Sequence, residues 1–182
     1  MKYLDSLKFA FYVIFHPFKG FWDLKHEKRG SMSAALTFLV LLIITYILRR
    51  QYTGFIFNEN DPKELNVFIE IISVLLPFFL WATANWCITT LMDGEGSYRD
   101  IVIATAYALV PLILINLPLV PFSRIINMEE GAFYYFFASV SVLWTGALIL
   151  AGASVTHQYT MTKTVFTSIL SVVEMGLMIF IG

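Results

Sequence analysis

Five long apolar runs constrain this chain more than any other feature of its sequence. They cover residues 31–48, 67–91, 101–120, 132–155 and 165–181, and short polar connectors separate them. A helix needs roughly 17–25 residues to cross about 30 Å of hydrocarbon, and only a helix or a closed barrel satisfies its own backbone hydrogen bonds in lipid. None of the runs alternates apolar and polar residues as a barrel strand does. The sequence therefore predicts an all-α polytopic membrane protein with five transmembrane helices.

The distribution of charge supports this helix count. All 12 Lys and Arg residues lie outside the five runs, in a chain of 182 residues that is 58% hydrophobic and 14% charged. We therefore expect the lipid bilayer to surround the protein. A net charge of −1 provides no basic field for nucleic acid, so we expect no nucleic-acid partner. The single cysteine, Cys87, excludes an intramolecular disulfide and a multi-cysteine metal site.

The basic residues also predict the orientation of the helices. If the N-terminus is cytoplasmic, eight basic residues lie inside and four outside, as the positive-inside rule favours. The inner set is Lys2, Lys8, Lys19, Lys25, Lys28, Arg29, Arg99 and Lys163, and the outer set is Arg49, Arg50, Lys63 and Arg124. We expect the C-terminus to lie outside, and Arg49 and Arg50 to extend to the outer headgroups.

The segment before the first run predicts a helix at the membrane surface. Residues 3–15 mix charged and apolar side chains but are too few to cross the bilayer, and Pro17 follows them. We expect an amphipathic helix in the cytoplasmic interface, with Phe18, Phe21 and Trp22 as anchors at headgroup depth. Packing against the transmembrane bundle is the alternative. The chain is accordingly divided into a cytoplasmic interfacial segment, residues 1–30, and a transmembrane domain, residues 31–182.

The residue patterns of common enzymes and metal sites are missing from the sequence. It has no HExxH and no GxSxG motif, and residues 93–96, which predict a tight cytoplasmic turn, lack the spaced oxygen ligands of an EF-hand. The histidines His16, His26 and His157 are far apart, and we expect each to be solvated or in contact with headgroups. We therefore predict no catalytic residue, no metal site and no cofactor, in a protein that is not an enzyme.

Two acidic residues fall inside the apolar runs, where an ionisable group costs about 2.5–3.5 kcal/mol on insertion scales. Glu70 lies about one helical turn into the second run, and we expect it to reach the outer interface. Glu174 lies midway along the last run, with no basic residue at its depth. We expect a protonated Glu174 that donates a hydrogen bond within the bundle. A proton or cation relay through Glu174 is the alternative.

Neutral polar residues and prolines mark further positions at membrane depth. Asn85, Tyr107 and Asn116 are candidates for hydrogen bonds between helices. Pro111 has no backbone N–H, so we expect the third helix to kink or break near it. Such a break either bends the helix or forms part of a transport site. The candidate functional positions are therefore Asn85, Tyr107, Pro111, Asn116 and Glu174.

The order of these parts resembles the Yip1-domain family. In that family a glycine-containing turn precedes the third span, and the third span carries a Tyr followed a few residues later by Pro. Gly94, Gly96, Tyr107 and Pro111 match this pattern. The likeness to bacterial members extends into residues 16–25, with the sequence HPFKGFWDLK, and covers nearly the whole chain.

The resemblance implies a non-enzymatic membrane protein that works through other membrane proteins. Eukaryotic relatives look like organisers of vesicle traffic that engage small GTPases and form hetero-oligomers. The present sequence lacks their long cytosolic N-terminal segment and their Asp-Leu-Tyr-Gly-Pro signature, which argues against a GTPase-linked role. A short bacterial member is expected to act in the cytoplasmic membrane as an accessory or scaffold subunit. It would form a homo- or hetero-oligomer, for example with the permease subunits of a transport complex.

Two functional hypotheses follow. The first is a scaffold that binds other integral membrane proteins, which the 16% content of aromatic residues and the absence of catalytic patterns favour. The second is a small transporter or channel that uses Glu174 and the proline break of the third helix.

Overall fold

The computed structural model describes residues 2–58 and 65–181, which form eight α-helices. A short 3-10 turn, Met128–Glu130, precedes the seventh of them. The helices are α1 (Lys2–Phe15), α2 (Pro17–His26), α3 (Met32–Tyr52), α4 (Val67–Leu91), α5 (Tyr98–Ala108), α6 (Val110–Phe122), α7 (Gly131–His157) and α8 (Met161–Ile181).

Five helical segments within the described ranges are long and apolar enough to cross a membrane. Each predicted run overlaps one of them, with ends that differ by a few residues. The prediction of an all-α chain with five spans is therefore confirmed. The segments are Met32–Tyr52, Val67–Leu91, Tyr98–Phe122, Met128–His157 and Met161–Ile181.

Short polar side chains begin three of these segments. Ser31 Oγ accepts a hydrogen bond from the backbone N–H of Ala34 at 3.2 Å and caps α3. Asn66 caps α4 in the same way, and Ser97 forms a reciprocal capping box with Asp100 at the start of α5. These bonds satisfy backbone donors that have no partner inside the helix, so the polar connectors define where the spans start.

The third span is interrupted at Leu109, just before Pro111. The helix α5 ends at Ala108 and α6 begins at Val110, with Leu109 as the residue between them. Pro111 lies in the first turn of α6, a position that tolerates proline because its N–H has no helical partner there. The break that the sequence predicts near Pro111 is present.

The third span forms the centre of the bundle. The segment Tyr98–Phe122 is 67% buried inside the protein, whereas the other four segments are 22–33% buried. Helices α3, α4 and α7 pack against α5, while α6 packs against α3 and α7. Helix α8 packs mainly on α4 and leaves much of its surface exposed. The outer helices therefore leave apolar side chains exposed on the surface of the bundle, which suits contact with lipid.

The directions of the helices define two ends of the bundle. We call the end with the first turns of α3, α5 and α8 the amino end, and the last turns of α4 and α7 lie there too. The opposite end, which we call the far end, holds the last turns of α3 and α6 and the first turns of α4 and α7.

Helices α1 and α2 pack against the bundle. Ala10, Val13 and Phe21 belong to the same buried core as residues of α3 and α5. A Cβ at Gly20 would lie 2.7 Å from Val13 Cα, so only glycine allows α1 and α2 to approach this closely. The contacts match the packing alternative, and the predicted placement in the membrane interface stays a prediction.

Candidate functional site

Buried polar groups of α4 and α7 meet at the amino end. We call the group formed by Asn85, Thr89, Gly94, Gly96, His157 and Tyr159 the amino-end junction. His157 Nε2 lies 2.9 Å from Asn85 Oδ1. The backbone N–H of Gly96 donates to His157 Nδ1 at 3.3 Å, so Nδ1 carries a lone pair and Nε2 carries the proton. His157 is therefore a neutral imidazole that donates to Asn85.

Gly94 and Gly96 allow the turn between α4 and α5 to touch the imidazole. Neither glycine has a positive φ, so backbone conformation does not require them. A Cβ at Gly94 would lie 2.8 Å from His157 Nδ1, and a Cβ at Gly96 would lie 2.7 Å from His157 Cε1. A larger residue at either position would have to displace the ring.

Tyr159 and Lys163 hold the same turn from the side of α8. The Tyr159 hydroxyl donates to the carbonyl of Met92 at 2.8 Å, and Lys163 Nζ donates to that carbonyl at 2.7 Å. Lys163 Nζ also lies 4.1 Å from the centre of the Tyr159 ring. Burial, together with the Asp93 carboxylate, raises the pKa of Tyr159 above its ordinary value, so its hydroxyl stays a donor.

The end of α7 fixes the position of His157. Gln158 follows it in the left-handed conformation, with φ of 55°, and the N–H of Tyr159 bonds to the carbonyl of Ser154 at 2.9 Å. This is the pattern of a Schellman C-cap. Lys25 of α2 adds a contact from the other side, with Nζ 2.8 Å from the carbonyl of Thr156. The imidazole of His157 thus joins α7 to α4 and to the turn after α4, while Lys25 of α2 bonds to the backbone one residue before it.

A small cavity of about 10 Å³ lies beside Asn85, Thr105 and His157. The amide Nδ2 of Asn85 is buried and has no hydrogen-bond partner among the described residues. A volume of this size matches one water molecule, which needs polar neighbours of this kind. The cavity is too small for a substrate.

The position of His157 corrects one prediction. The sequence predicts a solvated or headgroup-contacting side chain, but His157 is only 2% exposed. His157 bonds to residues on α4 and in the turn after α4, which are far away in the sequence. The sequence alone shows only the end of an apolar run at this position, and such an end predicts a side chain at the membrane surface. In the sequence, the contact of His157 with Asn85 was indicated only by the prediction that Asn85 forms a hydrogen bond between helices.

A second polar region lies at the far end. Helices α3, α4 and α7 surround a cavity of about 320 Å³, which we call the basic cavity; its walls include Tyr46, Arg49, Arg50, Glu70, Tyr134 and Tyr135. Arg50 Nη1 donates to Glu70 Oε1 at 2.9 Å. Arg49 Nη1 lies 3.5 Å from Asn116 Oδ1. Charged side chains from two helices are thus brought together at one end of the bundle.

Glu70 has an ion-pair partner that the sequence did not identify. Its side chain is 7% exposed and pairs with Arg50, which is 29% exposed, while its predicted position near the outer interface stays a prediction. A buried carboxylate is costly unless a cation and hydrogen bonds compensate it. Pairing between α3 and α4 provides this compensation for Glu70.

Tyr107 and Asn116 form hydrogen bonds within the bundle. The hydroxyl of Tyr107 donates to the carbonyl of Ser6 in α1 at 2.9 Å, and its ring packs edge-on against Phe38. Asn116 Nδ2 donates to Ser141 Oγ on α7 at 3.1 Å. Both side chains are buried and connect different helices, which is the role expected for polar residues at this depth.

Glu174 and Pro111 lie away from both polar regions. Glu174 is partly buried on α8 and interacts with Cys87 of α4, while its Oε2 has no hydrogen-bond partner within the described chain. Its predicted protonation stays a prediction. Pro111 is fully buried where α5 meets α6. Neither residue lines the 10 Å³ cavity or the basic cavity.

The three predicted interface anchors differ in exposure. Phe18 and Trp22 are 54% and 48% exposed, so both rings are free to contact lipid or headgroups. Phe21 is 1% exposed and packs on Gly152 of α7, where a Cβ would lie 3.2 Å from the ring. Phe21 is therefore a packing residue and not a surface anchor, because α2 turns this face toward α7.

An apolar groove of about 330 Å³ runs between α6 and α7. We define the apolar groove by Leu114, Ile115, Pro118, Leu119, Phe122 and Phe137. Pro118 has no N–H, so the carbonyl of Leu114 lacks its usual donor four residues later. The groove therefore combines an apolar surface with a helix whose backbone bonding is incomplete.

The amino-end junction, the basic cavity and the apolar groove can connect helices, hold an ion or receive a partner protein. Within residues 2–58 and 65–181, no group of three or more His, Cys, Asp or Glu side chains is arranged to hold a metal ion. The polar contacts Asn85–His157, Asn116–Ser141 and Arg50–Glu70 each link two helices.

Comparison with known proteins gives one positive result. The chain matches the family model described as Yip1 domain over residues 11–182, which is nearly the whole chain. The matched range contains Gly94, Gly96, Tyr107 and Pro111, the residues on which the resemblance was based. No curated protein and no solved structure matches the chain.

Proposed function

Because this chain belongs to the Yip1 domain family, we propose that it is a non-enzymatic scaffold in the bacterial cytoplasmic membrane. In this proposal it binds another integral membrane protein and serves a transport complex as an accessory subunit. Its N-terminus is cytoplasmic and its C-terminus lies outside.

The apolar groove carries this proposal. It offers about 330 Å³ of apolar space on the outside of the bundle, and Phe122 and Phe137 are partly exposed there. A lipid chain can fill such a space but cannot donate a hydrogen bond to the carbonyl that Pro118 leaves without its usual donor. A transmembrane helix with a hydroxyl-bearing residue can do both, since Ser and Thr side chains bond across helices in membranes. The proposed occupant is therefore a helix of another membrane protein.

The contacts of the buried polar groups agree with a structural role. Asn85 bonds to His157, Asn116 to Ser141 and Tyr107 to Ser6, and each bond joins two helices of this chain. Groups used in this way hold the relative positions of the helices. A rigid bundle preserves the shape of a groove that binds a partner, and this lowers the ordering cost of binding.

Site-specific photocrosslinking in native membranes tests the scaffold function. A photoreactive residue replaces Phe137 in the apolar groove, and the matched control replaces Phe180, which is 89% exposed on α8. We expect a discrete adduct at position 137 that is absent at position 180. The adduct must contain a membrane protein identified by its peptides, and the reciprocal probe on its helix must crosslink back to the groove. Lipid adducts alone, or a band at twice 20.8 kDa, would contradict the proposal.

Glu174 supports a second candidate function, a small transporter or channel. Its Oε2 is buried without a hydrogen-bond partner among the described residues, as a proton-relay carboxyl could be. The proline break at Leu109 also belongs to this hypothesis. Glu174→Gln should then abolish ion or proton flux in liposomes without changing the thermal stability of the protein. Equal flux in the variant and the parent would eliminate this function.

The proposed orientation has its own test. With Cys87 replaced by Ser, single cysteines at Ser33, which is exposed at the start of α3, and at Met128, which is 79% exposed just before α7, place one thiol at each end of the bundle. An impermeant maleimide added to intact cells should label position 128 and leave position 33 unlabelled until the cells are opened. The reverse pattern would invert the proposed topology.

A further inference from the structure

The basic cavity holds a positive charge that no carboxylate of the described residues neutralises. Glu70 is paired with Arg50 at 2.9 Å. Arg49 forms no ion pair within residues 2–58 and 65–181, and its contact with the neutral oxygen of Asn116 is long, at 3.5 Å. Among the described residues that line the cavity, two guanidinium groups and one carboxylate leave a net charge of +1.

Donors without acceptors surround the same cavity. Arg50 Nε and Thr53 Oγ1 are buried and have no hydrogen-bond partner among the described residues. A buried donor without an acceptor costs about 1–3 kcal/mol. Both atoms are covered by the wall of the cavity, so an oxyanion would first meet the guanidinium of Arg49, and small shifts of the wall would bring these two donors to its remaining acceptor oxygens.

Contacts around the cavity hold its walls in place. The side-chain amide of Asn58 donates to the carbonyl of Arg50 at 2.9 Å, and the backbone N–H of Gly54 donates to Ser123 Oγ at 2.8 Å. The ring of Phe57 stacks on Tyr134, with 4.9 Å between the ring centres. These contacts tie the chain after α3 to α7 and to the end of α6.

We propose that the basic cavity binds an anionic phosphate group, carried either by a lipid headgroup or by a free ion, with Arg49 as its principal ligand. Arg suits this role because its planar guanidinium can donate two parallel hydrogen bonds to phosphate oxygens. A volume of about 320 Å³ is sufficient for a headgroup-sized anion. The cavity lies at the far end of the bundle, beside the last turn of α3, where a headgroup can reach it.

Binding is measured on the full chain in a neutral detergent. One arm adds inorganic phosphate against chloride at equal ionic strength, and the other adds dioctanoyl phosphatidylglycerol against dioctanoyl phosphatidylcholine. Native mass spectrometry counts the lipid adducts, and thermal unfolding reports stabilisation by either ligand. Stabilisation by inorganic phosphate identifies a free anion, whereas an adduct with phosphatidylglycerol alone identifies a lipid headgroup.

Arg49→Gln is the test variant, because Arg49 is not part of the Arg50–Glu70 pair. The matched control is Arg124→Gln, which removes the same charge from an exposed arginine that packs on Tyr52. Losing a charge-assisted contact should raise the dissociation constant about tenfold or more in Arg49→Gln and leave it nearly unchanged in Arg124→Gln. Arg49→Lys should recover part of the affinity. The proposal fails if neither phosphate ligand binds, or if both glutamine variants bind as tightly as the parent.

Discussion

His157 and Asn85 are hydrogen-bonded in the interior of the bundle although 72 residues separate them in the sequence. The bond joins the end of α7 to α4, and the opposite nitrogen of the same imidazole accepts from the Gly96 backbone. The turn that carries the two glycines is thus held by a side chain from a distant helix. The imidazole therefore joins three elements, α4, the turn after it and α7, at the amino end.

Replacing Asn85 tests this relationship. In Asn85→Ala the buried N–H of His157 loses its acceptor, which should lower the free energy of unfolding by about 1–3 kcal/mol. Titration with a denaturing detergent, followed by circular dichroism, measures the change. The control is Thr90→Ala, because Thr90 is exposed and bonds only to its own helix at Trp86. An equal loss in both variants would show that the Asn85 contact contributes nothing specific.

The glycine turn predicts a contrast between two pairs of alanine variants. Gly94→Ala and Gly96→Ala place a methyl group within 3 Å of His157 and should cost about 1–3 kcal/mol each through overpacking. Gly146→Ala and Gly176→Ala lie in helices with nothing within 4 Å of the added carbon, so they should be neutral or slightly stabilising. The melting temperatures of the four variants, measured in the same detergent, test this contrast. Similar melting temperatures across both pairs would refute the close contact.

The Arg50–Glu70 pair predicts strong coupling between the two side chains. Removing one partner, as in Glu70→Ala, leaves a poorly solvated charge and should cost about 3–5 kcal/mol. Replacing both by Met removes both charges and should cost much less than the sum of the two single changes. A double-mutant cycle on unfolding free energies measures this coupling. Additive losses would mean that the two groups do not depend on each other.

The hydrogen bond from Tyr107 to Ser6 predicts that this side chain helps to hold α1 against the bundle. Tyr107→Phe keeps the ring against Phe38 but removes the donor to the Ser6 carbonyl, at a cost of about 0.5–1.5 kcal/mol. Hydrogen exchange should accelerate in residues 2–15 and stay unchanged in α8. Tyr98→Phe is the control, since Tyr98 is 37% exposed at the start of α5. Unchanged exchange in α1 would indicate that other contacts hold it.

The spans and the main interruption were predictable because they depend on neighbouring residues. The apolar runs marked all five spans, and Pro111 marked the break in the third. The flanking polar residues Ser31, Asn66 and Ser97 cap the helices that follow them. These effects act within one or two helical turns, so a single sequence contains the information.

The contacts of the polar residues were only partly predictable. Asn85 and Asn116 were expected to bond between helices, but nothing in the sequence identified His157 or Ser141 as their partners. The pairing of Glu70 with Arg50 was not predicted, because Arg50 precedes it by 20 residues and belongs to another helix. Phe21 was placed at the surface because one short helix does not reveal which neighbour covers it.

The sequence by itself determined that the chain crosses the membrane five times, because the transfer of each apolar segment into lipid is a sum over its own residues. Tertiary structure alone decided that His157 is buried, that Arg50 is paired and that Arg49 faces a cavity. These outcomes depend on which helix faces run against each other, and that is a property of the whole bundle. The role of a buried polar group therefore depends on which group the packing of the helices places within hydrogen-bond distance of it.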